Sequence, residues 1–188
     1  MSPWIEQLAS RLRLDHARPP DDGLRRAAVA IVLHDEPPSP RVLLMKRIER
    51  TGDPWSGHIS LPGGRFDARD RDLLACAIRE THEELGLDLA GARLLGNLHA
   101  LSPLSAGPAG MEVTPFAFVT VRALEPTPGP EAESAFWLPL ELAASGALDD
   151  TYTYPGTSRT FPGWRYENHV IWGLTYRILG DLLAVPRQ

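Results

Sequence analysis

The chain has 188 residues, of which 43% are hydrophobic and 23% charged, with a formal net charge of -5. That length and composition suit one globular domain that closes a core without metal or disulfide staples. The negative balance argues against a surface that coats nucleic acid or binds membranes through basic residues. The one cysteine, Cys76, has no internal partner, which fits a reducing cytoplasm. The first twenty residues lack the apolar core of a secretory signal, and no run of apolar residues reaches the length of a membrane span.

In chain order, Ile5, Leu8 and Leu12 recur at helical spacing and predict a helix over residues 3–14, ended by "ARPPDDG". The runs "RAAVAIVLH" (26–34) and "RVLLMKRI" (41–48) predict buried strands joined by the turn "DEPPSP". A long polar, glycine-rich loop leads to "ISLPGGRFDARD" (59–70). A helix then runs to Leu85, with Asp70 or Asp72 as its N-cap and Gly86 as its left-handed stop. Strands follow at "ARLLGNLHAL" and "MEVTPFAFVTV". The proline-rich "EPTPGPEAE" (125–133) reads as a connecting loop, and "AFWLPLELAAS" as a strand end passing into a short helix. The aromatic segments "TYTYPG" and "FPGWRYENHVIW" predict a strand pair, and "IWGLTYRILGDLLA" a final amphipathic helix. Interspersed strands and helices give an α/β or α+β class, with helices packed on a mixed sheet.

The helix ending at Leu85 raises a physical question. At about 100° per residue, Glu80, Glu83 and Glu84 share one arc of roughly 100°, where like charges repel. Leu74, Ile78, Thr81 and Leu85 share a different face, suited to a sheet. Cys76 and Ala77 are small and lie one turn earlier on the acidic side, leaving room for the "PGG" turn (62–64). Three carboxylates with glycine carbonyls form a hard oxygen site of the kind that holds Mg²⁺ or Mn²⁺, and the cation would relieve the repulsion. Arg79, four residues before Glu83, can hold that carboxylate through an ion pair. A solvated charged face is the plain alternative for any such run, but it leaves the adjoining Gly-Gly turn, cap, arginine and terminal glycine unaccounted for.

The run "GRFDARDRDLLACAIRETHEELGL" resembles the Nudix box, Gly-x5-Glu-x7-Arg-Glu-U-x-Glu-Glu-x-Gly-U, with U bulky and apolar. Gly64 matches its first glycine and "RETHEELGL" its second half. Asp70 stands in the place of the first Glu, eight residues rather than seven separate it from Arg79, and Thr81 replaces an apolar residue. The segments "VLLMKRIERTGDPWSGHISLPGG" and "HVIWGLTYRILGDLL" further resemble the coenzyme A pyrophosphatase branch. Leu43, Leu44, Arg47, Gly57, Pro62, Gly63 and Gly64 fit that branch's pattern; Met45, Ile48 and Leu61 depart from it.

The resemblance implies an α/β/α sandwich with a mixed sheet and a loop–helix–loop, residues 1–25 forming a helix and connector before a domain at 26–188. It implies hydrolysis of a nucleoside diphosphate linked to a group X, with Glu80, Glu83, Glu84 and a carbonyl of Gly63 or Gly64 binding Mg²⁺ or Mn²⁺. Glu80, Glu83, Glu84 and Arg79 are then the catalytic set. Glu83 is the first candidate for general base, and Glu112 and Glu131 are candidates on loops outside the box. Lys46, Arg47, Arg50 and Arg65 flank the box as phosphate clamps, Arg47 foremost because it matches the branch pattern. His58 and His82 read as structural, and Trp137, Trp164 and Trp172 as core. Cys76, in mid-helix, lacks the setting of a nucleophile. The branch implies coenzyme A or its thioesters as substrate, giving 3',5'-ADP and 4'-phosphopantetheine. Alternatives are another nucleotide such as ADP-ribose, or a silent nucleotide-binding module of the same fold. The expected partner is a small nucleotide pyrophosphate, with neither nucleic acid nor membrane, and the sequence leaves monomer and homodimer open.

Overall fold

The computed structural model describes residues 1–15, 18–52, 55–103 and 110–185; the expected loop positions 17, 53 and 54 lie outside these. The elements run α1 (Pro3–Arg11), β1 (Arg26–His34), β2 (Arg41–Arg47), β3 (Ile59–Ser60), β4 (Gly63–Arg65), α2 (Leu73–Leu85), β5 (Arg93–Asn97), β6 (Glu112–Thr120), β7 (Ala132–Pro139), α3 (Leu140–Ala144), β8 (Asp149–Thr153), β9 (Thr160–Tyr166), β10 (His169–Trp172) and α4 (Gly173–Ala184). A 3-10 turn at Leu89–Gly91 joins α2 to β5.

The main sheet is mixed. Strand β1 runs parallel to β6 through nine residue pairs, from Arg26↔Glu112 to His34↔Thr120, and antiparallel to β2 and β4. Such a central strand is covered on both faces, so it reads as a continuous apolar run rather than an alternation. Ala28, Ala30 and Val32 pack with Leu74, Cys76, Ala77 and Leu85 of α2. Ile31 and Leu33 point the other way and join Ile5 and Leu8 of α1, Ile171 of β10 and Ile178 and Leu182 of α4. The result is the expected layering, with α2 on one face and the terminal helices on the other.

Strands β1 and β2 pair only at Leu33↔Val42 and His34↔Arg41. Beyond that they part, and residues 59–65 fill the gap. There β3 pairs with β2, β4 pairs with β1, and Pro62 accepts a bond from the Ala30 amide at 2.8 Å. The split places the Gly63-Gly64 turn directly over α2. Gly63 (φ +150°) has no space for a side chain, because a Cβ would stand 2.3 Å from the Ala28 carbonyl.

Several expectations need correction. The first helix stops at Arg11 rather than residue 14, and the long loop contains β3 and β4. Very short strands give no alternating pattern to read. The aromatic segments form a three-stranded sheet, β10-β9-β8, rather than a pair. The helix cap is Asp72, which accepts from the Ala75 amide at 2.8 Å; Asp70 is used elsewhere. Gly86 does stop α2 in the left-handed conformation, at φ +65°.

The proline-rich loop does more than connect. Its Thr127 and Gly129 amides donate to the Leu85 and Glu84 carbonyls, both at 2.8 Å, so it satisfies the otherwise orphaned end of α2. Among the described residues no helix is long and apolar enough to cross a membrane.

A Cβ on Gly129 would lie 2.6 Å from the Glu83 carbonyl, and the pairing with Glu84 leaves little freedom to retreat. Gly129→Ala should therefore destabilise the fold by about 1–3 kcal/mol, the cost of overpacking. Urea unfolding checks this; an unchanged midpoint would mean that the loop yields freely.

Candidate active site

The acidic face of α2 is organised by Arg79. Its guanidinium grips Asp70 with two prongs, Nε to Oδ1 at 2.8 Å and Nη2 to Oδ2 at 2.9 Å. Its Nη1 bonds Glu80 at 2.8 Å and Glu83 at 3.0 Å, and Nη2 also donates to the Arg65 carbonyl at 3.3 Å. The expected i,i+4 pair with Glu83 is present, but it is one of several attachments. Asp70 is buried, and the Arg79 bonds hold its carboxyl below the usual carboxylate range. Two of the three departures from the box pattern thus meet in one contact, a shorter acid and one extra residue before the arginine.

Asp70 is itself held. Arg18, reaching in from the N-terminal connector, donates to the Asp70 carbonyl at 2.9 Å and lies 5.4 Å above the Phe66 ring. Nothing in the local sequence links Arg18 to a loop fifty residues away, so this contact is visible only in three dimensions.

Glu84 is the most buried of the three glutamates, with 3% of its surface exposed. Its Oε2 accepts from the Gly63 amide at 2.8 Å, and Oε1 stands 3.7 Å from Arg47 Nη1. Burial pushes its carboxyl up to about 7, against the opposing pull of the Gly63 amide and Arg47. Burial also raises Glu80, whose carboxylate lies against the α-carbon of Gly64, where a Cβ would come within 2.5 Å. Glu83 is half exposed. The space left by Cys76 is used as expected: its Sγ lies 3.6 Å from the Gly64 carbonyl and 3.3 Å from that of Arg65. Burial pushes the Cys76 thiol up to about 12, so it stays protonated and unreactive.

The flanking residues divide. Arg47 meets Glu84. Arg50 pairs with Glu131 at 3.3 Å, and the Glu131 charge is felt by both Glu80 and Glu84. Lys46 pairs with Glu133 at 2.8 Å, on the side of β2 away from Arg47. Arg65 exposes its side chain, and its carbonyl serves Arg79. Glu112 is engaged by Arg26 at 3.2 Å at the start of β6. His82 is exposed, and the His58 carbonyl accepts from the Arg47 amide. Trp164 is core as expected, and Trp137 is partly buried beside His34. Trp172 instead lines a cavity.

The donor set fits a hard divalent cation in kind: desolvated carboxylates, two of them raised by burial, beside a glycine turn. Among the described residues, no three carboxylate, thiol or imidazole groups converge closely enough to hold one as they stand. Arg79 lies between Glu80 and Glu83.

Comparison with known proteins agrees with this architecture. Residues 24–156 match the NUDIX domain model. A Photorhabdus laumondii protein described as "Uncharacterized Nudix hydrolase NudL" is 32% identical over 187 residues, covering 95% of each chain. A Yersinia pestis protein of the same description is 34% identical over 163 residues, 84% of this chain and 78% of that one. Among solved structures, a C. elegans Ap4A hydrolase binary complex superposes with TM-score 0.54 at 20% identity, covering 65% of this chain and 85% of that one. The M. smegmatis Nudix hydrolase RenU gives 0.52 at 21% identity, covering 63% and 73%. At such identities the two structures speak for the fold. The chain belongs to the Nudix family and is a hydrolase of that family.

The Asp70–Arg79 pair gives a pH-dependent prediction. A carboxyl whose folded pKa is depressed contributes stability above its ordinary value of 3.8 and loses it as pH falls through the lower folded value. Asp70→Asn should cost roughly 3 kcal/mol at pH 7, because it leaves Arg79 partly buried with its strongest partner gone. The difference from wild type should narrow below about pH 4. Urea unfolding of both proteins across this range checks the sign; a gap that widens in acid would contradict it.

Proposed function

We propose that the protein hydrolyses the pyrophosphate bond of coenzyme A or its thioesters with Mg²⁺ or Mn²⁺, giving 3',5'-ADP and 4'-phosphopantetheine. The observation that carries the reading is the 3.7 Å approach of Arg47 to Glu84. Arg47 is the arginine of the coenzyme A branch pattern, and it lies beside the most buried acid of the box.

In this reading Glu80, Glu83 and Glu84, with the carbonyl of Gly63 or Gly64, would hold the cation, which when bound would supply charge neutralisation at the pyrophosphate and a more acidic water. Arg47 pairs with a phosphate oxygen when substrate enters. Water forms the new bond to phosphorus as the bridging P–O bond breaks and its oxygen leaves with the other phosphate. Glu83, exposed enough to meet solvent and steadied by Arg79 at 3.0 Å, takes the water's proton. Glu131 is the second candidate, because its charge reaches Glu80 and Glu84. Glu112, tied to Arg26, has no comparable support.

Arg50 is half exposed, with Glu131 its ion-pair partner. It is the candidate for the 3'-phosphate, leaving Arg47, beside Glu84, for the pyrophosphate. A charge-assisted contact of this kind is worth about 1.5–3 kcal/mol, or on the order of tenfold to a hundredfold.

Two outcomes are expected. Glu84→Gln should remain folded and lower turnover by at least about a hundredfold, as loss of a main electrostatic stabiliser does; near-normal turnover at saturating Mg²⁺ would remove Glu84 from the chemistry. Coenzyme A should be cleaved at least about tenfold more efficiently than its 3'-dephospho form, with Arg50→Ala narrowing the gap. A nucleotide panel with products identified by mass checks this, and a preference for ADP-ribose over both would overturn the coenzyme A reading.

A further inference from the structure

The N-terminal connector ties two layers of the fold together. Helix α1 packs Ile5 and Leu8 into the core on the face of the sheet opposite α2. The chain then passes the edge strand β5, where the Arg13 carbonyl accepts from the Asn97 amide at 2.6 Å and the Asp15 amide donates to the Asn97 side chain at 2.8 Å. Gly96 permits that approach, since a Cβ there would stand 2.4 Å from the Arg13 carbonyl. Beyond the edge, Arg18 reaches the loop at 66–71, whose Phe66 packs on the α2 side of the core.

At that loop one guanidinium meets three carbonyls. Nη1 donates to Asp70 at 2.9 Å and to Arg71 at 3.5 Å, Nη2 donates to Ala68 at 3.5 Å, and the group lies 5.4 Å above the Phe66 ring. Carbonyl dipoles turned toward one point favour a cation with several donors, and an arginine fork supplies both. Backbone bonds fix the loop's two ends, Phe66 to Arg26 at 2.9 Å and the Asp72 cap at 2.8 Å, and Arg18 holds its middle. The inner side of the loop closes on the Asp70 carboxylate, whose Oδ2 accepts from the Asp67 amide and from Arg79, both at 2.9 Å. Asp70 is thus gripped twice, its carbonyl by Arg18 and its carboxylate by Arg79. A shift of Asp70 carries the Arg79 guanidinium with it, and with that the bonds to Glu80 at 2.8 Å and Glu83 at 3.0 Å.

We propose that Arg18 is a positioning residue for hydrolysis, acting through Asp70 and Arg79 on the glutamates of α2 without touching substrate. It stands ahead of residues 24–156, so this part of the site belongs to the connector rather than to the stretch that matches the NUDIX domain. The inference rests on hydrolase activity at α2 and not on which nucleotide is cleaved.

Arg18→Ala removes an exposed side chain and should fold as the wild type does. Two measurements on this variant test the proposal. One is steady-state kinetics on whichever nucleotide of the panel the wild type cleaves best. The other is hydrogen exchange at the Asp67 and Asp70 amides, both bonded within the loop, which needs no turnover and so stands apart from the substrate reading. Exchange at both amides should quicken at least about threefold, and kcat at saturating substrate and Mg²⁺ should fall at least about threefold with KM within about twofold of wild type, the scale of one lost hydrogen bond. A tether that only stabilised the fold would lower the unfolding midpoint and leave the kcat of the folded protein unchanged, and that result would overturn the proposal. Unaltered exchange at the two amides would overturn it as well, as would a raised KM with wild-type kcat, the mark of a substrate contact. Arg18→Lys, which keeps the charge but lacks the fork, should change in the same direction and decides by the same criteria if Arg18→Ala does not fold.

Discussion

The guanidinium of Arg79 is the point on which the site turns. Three glutamates on one helical arc repel each other, and the two more buried ones are also deprived of water, which makes their charge costly. Arg79 answers both problems with one planar group, bonding Glu80 and Glu83 through Nη1 and Asp70 through Nε and Nη2. Arg47 approaches Glu84 from β2, so the acids are flanked by a cation from the helix and another from the sheet. An ammonium cannot reproduce the first arrangement, because it lacks the fixed fork that meets a carboxylate with two parallel bonds.

Around that centre the backbone is brought unusually close. Gly63 lies against the β1 backbone, Gly64 against the Glu80 carboxylate and Gly129 against the Glu83 carbonyl. At each of these places a methyl group would collide with its neighbour. The Gly63 amide can therefore reach Glu84, and the Gly129 amide can close the end of the helix. The parting of β1 from β2 makes room for the glycine turn, and the loop at 127–129 keeps the helix end from fraying.

Much of this was legible in the sequence because the signals are local. Helical spacing, the Asx cap, Gly86 and the continuous apolar strands each act over a few residues, and they identify α2, β1 and β2 and bring the acids together. Contacts made across the chain were not legible. Asp70 reads as a possible cap because capping is a three-residue relation, whereas its bond to Arg79 spans nine residues and the turn between them. Arg18 stands against Phe66 and the Asp70 carbonyl through a fold that no local pattern announces. Trp172 looks like core from composition alone. Its position on a cavity follows from how Tyr152 of β8 and Trp172 of β10 stack together and meet His58.

The central claim is that the geometry of Arg79, and not only its charge, arms the acidic helix. Steady-state kinetics of Arg79→Lys, with unfolding followed in parallel, test it most directly. The account predicts a protein that still folds but whose kcat falls by about tenfold or more at saturating substrate and Mg²⁺, since Glu83 loses its fixed position. Wild-type kcat in a folded Arg79→Lys protein would contradict the account, and would return the arginine to an ordinary charge on a solvated helix.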